Sequence, residues 1–89
     1  MEHSNSFIYL GLEVRQRKNI ENLKPEDQNY GILSVLDEKN NPCKFFIFKS
    51  DILQKILELH LNSLQKIDLV YEIVFINNIW NVRLVDINE

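Results

Sequence analysis

Aromatic and basic residues alternate through the first half of the chain. Tyr9, Tyr30, Phe46 and Phe48 supply flat rings, and Arg15, Arg17, Lys18, Lys44 and Lys49 supply positive charge. Together these two residue types do one kind of chemistry well. Rings stack on nucleobases with little regard for sequence, while Lys and Arg follow the phosphates. Core packing is the competing role for each ring, above all for Phe46 and Phe48. The hydroxyls of Tyr9 and Tyr30 suit a surface better.

Other chemistries find little to work with. The only glycines are Gly11 and Gly31, so no glycine-rich loop exists to cradle a phosphate. No nucleophile elbow or readable Cys-His pair is present, and acidic pairs such as Asp37-Glu38 fall in turn-like sequence. The expectation is a non-catalytic protein without a cofactor. His3, His60 and Cys43 are isolated, which is too few for a metal site. A single cysteine in an aromatic run reads as a reduced, buried thiol of a cytoplasmic protein. No apolar stretch is long enough to span a bilayer, and Met1–Ser6 lacks the basic and apolar parts of a secretory signal.

The net charge of −3 argues against coating duplex DNA by charge alone. It is unevenly spread. Residues 1–49 carry seven bases and seven acids, whereas 50–89 carry three bases and six acids. An anionic ligand would favour the first half.

Eighty-nine residues make one domain. We read 1–6 as a flexible tail and 7–87 as the folded unit. Period-two patterns predict strands at Phe7–Arg15, Tyr30–Leu36, Cys43–Lys49, Ile67–Ile76 and Ile79–Val85. In the first, Ile8, Leu10, Leu12 and Val14 form the expected core face, with Phe7 and Tyr9 opposite and Gly11 marking a bend or bulge. In the third, both faces are aromatic and the register stays open. Residues 16–29 form the longest loop, pinned by Ile20 and Leu23. Asn77-Asn78 suggests a tight hairpin turn, because Asn tolerates positive φ. One amphipathic helix is expected over Asp51–Asn62, capped by Ser50. Its stripe runs Ile52, Leu53, Ile56, Leu57, Leu59 and Leu61.

The fold class expected is therefore mainly β: a five-stranded barrel in β-β-β-α-β-β order, with one helix plugging its end between the third and fourth strands. In layout, residues 7–87 resemble small oligonucleotide/oligosaccharide-binding-fold (OB-fold) proteins, in particular the compact single-stranded DNA-binding proteins of phages and plasmids. That resemblance implies a single strand of DNA or RNA lying across the second and third strands, clasped by the first and last hairpin loops. The loop after the first strand is long and partly basic, as such a site wants. The Asn77-Asn78 loop is too short to be a clamp. The alternative is a protein-binding adaptor or inhibitor, or a homodimer, using Phe7, Ile32 and Val70 as an apolar interface.

Overall fold

The structure is a computed structural model that describes residues 2–18 and 21–89. Five strands, one α-helix and a single 3-10 turn follow in order among the described residues: β1 (Glu2–Gln16), the 3-10 turn (Pro25–Asp27), β2 (Asn29–Leu36), β3 (Pro42–Ile47), α1 (Ser50–Leu59), β4 (Lys66–Ile76) and β5 (Ile79–Asn88). They form one antiparallel sheet in the order β3-β2-β1-β4-β5. The chain is mainly β, with its one α-helix in the expected place. No ladder joins β3 to β5, so the sheet does not close into a barrel by hydrogen bonds. These two edges nevertheless approach within 8 Å, Cα to Cα.

The strand β1 unites the sheet. Its first half, Glu2–Ile8, pairs with β4 from Glu72 to Lys66. Its second half, Ile8–Gln16, pairs with β2 from Leu36 to Asn29. The polar run Glu2–Ser6 is therefore strand rather than tail, with residue 1 outside the described residues. Its side chains are held laterally: Ser6 Oγ donates to Asp68 Oδ1 at 2.7 Å, and Asn5 Nδ2 donates to the Tyr71 hydroxyl at 2.6 Å.

A register shift between Tyr9 and Gly11 corrects the expected faces of β1. One inserted residue inverts every side chain beyond it. Before the bulge the odd residues turn inward, so Phe7 is buried and Tyr9 packs on the core. After it, Leu12 turns inward instead. Leu10 and Val14, expected in the core, are exposed.

The core joins Leu33 and Val35 of β2, Phe45 and Ile47 of β3, Ile67 and Leu69 of β4, and Leu84 and Ile87 of β5. This settles the open register of β3: Phe45 and Ile47 face in, and Lys44 and Phe46 face out. Phe48 and Lys49 follow the strand and are exposed. The helix covers one end with Ile52, Leu53 and Ile56 and touches β2, β3 and β5. It begins one residue earlier than expected. The cap position is Lys49, whose side chain makes no capping bond, and Ser50 is already helical. His60, in the left-handed conformation (φ 49°), stops it short of Asn62. Leu57 is exposed, so the buried stripe is narrower than the apolar one. Lys55 Nζ lies 2.5 Å from Asp86 Oδ1 and ties the helix to β5.

The apolar interface considered above is also corrected. Phe7 and Ile32 are buried, and Val70 is half-buried. The expected Asn77-Asn78 turn is present, with φ of 52° and 63°. Of the two residues expected to pin the long loop, Leu23 is half-buried and Ile20 lies outside the described residues.

Candidate nucleic-acid interface

The outer face of β1-β2-β3 is built in rows by strand register. Glu13, Ile32 and Phe46 form one row; Gly11, Ser34 and Lys44 form the next. Tyr30 stands beside Arg15 at the far end of the ladder. Its ring stacks on Phe48, centroids 5.4 Å apart and planes 28° from parallel.

Arg17 locks this end. Its backbone N–H donates to the Gln28 carbonyl at 2.7 Å and prolongs the β1–β2 ladder. Its Nη2 donates to the Phe48 carbonyl at 2.7 Å, and its guanidinium carbon lies 5.1 Å from the Phe48 ring centroid. Arg17 is thus half-buried and engaged with protein, unlike a side chain waiting for a phosphate. Arg15 is paired as well: its Nε donates to Glu13 Oε1 at 2.7 Å. That bond holds the Glu13 carboxyl below its usual range, and the same bond with the nearby Tyr30 hydroxyl pushes the Arg15 guanidinium further up.

A cleft of about 930 Å³ opens between the edges of β3 and β5. Lys44, Phe46, Phe48 and Lys49 line one side; Trp80, Val82 and Arg83 line the other. Phe75 pairs with Trp80 across the β4–β5 hairpin, centroids 4.8 Å apart. Phe46, Phe48, Phe75 and Trp80 are all at least half exposed. No Asp or Glu lines this cleft directly, although the whole chain carries net charge −3; Arg83 is paired across the β4–β5 ladder with Glu72, Nη1 to Oε1 at 3.8 Å, so Lys44 and Lys49 are its unpaired cations among the described residues.

Of the nine residues singled out in the sequence, Lys44, Phe46, Phe48 and Lys49 come together in the cleft, with Tyr30, Arg15 and Arg17 banked against its end. Two do not join them. Tyr9 turns inward and packs on the core, and Lys18 is exposed just past the end of β1. The wall formed by Trp80, Val82 and Arg83 was missed because only the loop between β4 and β5 was weighed as a clamp. The available signal was length. Strands of eleven and ten residues face β2 and β3 of eight and six, so the hairpin must overhang the core.

The arrangement can stack planar rings and hold anions. Cys43, expected to be buried, is only half-buried; its thiol is pushed up by that partial burial, with the Asp37 charge adding to it, which disfavours the nucleophilic thiolate. Among the described residues no cluster of His, Cys, Asp or Glu could hold a metal, and no helix is long and apolar enough to cross a membrane. No family model, curated protein or solved structure matches the chain.

Proposed function

We propose that this protein binds single-stranded DNA or RNA in the cleft between β3 and β5, with little sequence preference and without catalysis. One observation carries the reading: Lys44 and Lys49, with Arg83 paired to Glu72, and no carboxylate in the lining itself, stand in a cleft walled by exposed aromatics, in a chain that is acidic overall. Acids excluded from one surface of an acidic protein mark that surface for an anion. Exposed rings on both walls favour an anion that also carries planar groups.

The fold reading goes with it. The strand order and single helix are compatible with an open form of the OB-fold barrel, in which β2, β3 and the last hairpin would face the ligand. The β4–β5 hairpin acts as the second clamp through its overhanging strands rather than through its loop. The small single-strand binders of phages and plasmids are the nearest functional analogy, and a cytoplasmic site of action follows from it.

The test uses Trp80, the only tryptophan, as a reporter inside the site. Titration with oligothymidylate should quench its fluorescence. Affinity should fall steeply with salt, by a log–log slope of about 0.7 for each phosphate neutralised. If oligonucleotides leave Trp80 unchanged at low salt, the reading fails and a polypeptide partner for the exposed hairpin takes its place.

A further inference from the structure

The sheet ends in two open edges, and only one of them is protected. The β3 edge starts at Pro42 and carries Lys44, both of which discourage another strand from pairing there. The β5 edge carries no such residue from Ile79 to Val82, and the hairpin around it is uncharged from Ile73 to Val82. Ile73, Phe75, Ile76, Ile79, Trp80 and Val82 are exposed there, by 39–69% of their surface. The two rings alone leave roughly 200–300 Å² bare. With the four aliphatic side chains the patch approaches the roughly 500 Å² that each copy of a small stable dimer contributes. The backbone of this edge is free as well. The Asn77-Asn78 turn sets Ile76 opposite Ile79 as the first hydrogen-bonded pair of the hairpin, and such pairs alternate along an antiparallel ladder. Val74–Asn81 is the next, so Trp80 and Val82 point their N–H and C=O groups away from β4. Among the described residues no other backbone group meets them.

We propose that a second copy of the chain pairs at this edge, the two β5 strands running antiparallel about a two-fold axis at Asn81. In that register Trp80 of each copy lies opposite Val82 of the other. These are the residues with free backbone groups, so each such pair exchanges both of its hydrogen bonds. Side chains at opposite positions share a face, so Trp80 and Val82 cover one another and Asn81 meets its own copy. Arg83 falls opposite Ile79, and no cation meets a cation. The same pairing at β3 would bring Lys44 of both copies onto one short ladder, which assigns the second copy to β5. The bulge at Val85, where the β4–β5 register shifts, ends the pairing surface beyond Leu84. A two-fold pair uses up both β5 edges and closes at two chains. The paired hairpin lies along the mouth of the cleft, so the dimer and the nucleic-acid complex are alternative states of the molecule. The pairing itself does not depend on what the cleft binds.

The test is sedimentation of the full chain without nucleic acid, at rising protein concentration. Mass should rise from that of one chain to that of two and no further. Val82→Lys should hold the protein at one chain over the same range, with melting temperature unchanged because Val82 is half exposed. Disulfide trapping in a Cys43→Ser background reads the register. Asn81→Cys should cross-link the dimer under mild oxidation, since facing residues of a non-hydrogen-bonded pair lie about 4.5 Å apart, Cα to Cα. Ile79→Cys faces Arg83 rather than its own copy and should not cross-link. A protein that stays at one chain throughout overturns the proposal, as does mass that climbs past two chains. So does a dimer that survives Val82→Lys, or one that cross-links through Ile79→Cys and not through Asn81→Cys. Each of these results leaves the cleft reading standing, which Trp80 quenching tests separately.

Discussion

Phe75 and Trp80 face each other across the β4–β5 hairpin, ring centroids 4.8 Å apart, and Trp80 keeps 69% of its surface exposed. Such a pair stiffens the hairpin tip and offers a ring to the cleft at the same time. Trp80→Ala and Phe46→Ala should each weaken single-strand binding by about 1–3 kcal/mol, the usual contribution of one stacked base. The salt slope should be preserved, because stacking releases no counterions. Melting temperature should move little, since both rings lie outside the core. A variant that binds as wild type, measured by anisotropy of labelled oligothymidylate, removes its ring from the site.

The basic residues separate into two groups. Lys44→Ala, Lys49→Ala and Arg83→Ala should each flatten the log–log salt slope by about 0.7 while leaving stability alone. Arg17→Ala should behave otherwise. It removes the bond to the Phe48 carbonyl and the guanidinium over the Phe48 ring. Melting temperature should fall, by an amount corresponding to about 1–3 kcal/mol. Thermal melts decide it: Arg17→Ala melting like Lys18→Ala would make Arg17 an ordinary surface charge.

Two adjacent helix positions make a sharp contrast. Ile56 is 2% exposed and Leu57 is 44% exposed. Ile56→Asp should unfold the domain, since an unpaired buried charge costs several kcal/mol against a total stability of roughly 5–15. Leu57→Asp should fold and melt close to wild type. Circular dichroism of the two proteins is sufficient, and the reverse result would mean that α1 is rotated on the sheet.

The Lys55–Asp86 pair makes stability depend on acid. The hydrogen bond from Lys55, with a second from the Ile87 backbone N–H, holds the Asp86 carboxyl below its ordinary 3.8. A carboxyl depressed in the folded state stabilises above its unfolded value, and that contribution is lost as pH falls through the folded value. Lys55→Ala should thus cost up to about 1 kcal/mol at neutral pH, the modest contribution of a half-exposed pair. The gap to wild type should shrink below pH 3.8. Urea midpoints at both pH values measure it. An equal gap in acid would assign the loss to packing of the Lys55 stem.

Much of the fold was legible in local pattern. Period-two runs located all five strands, the apolar stripe located α1, and Asn77-Asn78 marked its turn because two adjacent left-handed residues suit few others. What escaped was set by long-range geometry. Gly11 marked a bend or bulge in the sequence, yet the effect of the bulge, reversing which residues of β1 face in, depends on pairing with Val35 and Ser34 far along the chain. Glu2–Ser6 is polar on both faces and carries no strand period. It is strand because Ile67–Glu72 lies alongside. The half of the cleft contributed by β3 was readable only as residue types, because both faces of that strand are aromatic and pairing with β2 decides that Phe46 faces out. Trp80 and Val82 share the face of buried Leu84, and only the overhang of the hairpin turns that face from core into wall.

The pairing of β1 with both β2 and β4 also orders events in time. Hairpins β2–β3 and β4–β5 are local and can close within about 1–10 μs. Joining them needs Glu2–Ile8 to find Lys66–Glu72, a separation of some sixty residues, and such non-local pairing belongs to the slow regime of about milliseconds to seconds. Each wall of the cleft belongs to a different hairpin. The cleft therefore exists only where both hairpins and that long-range ladder have formed.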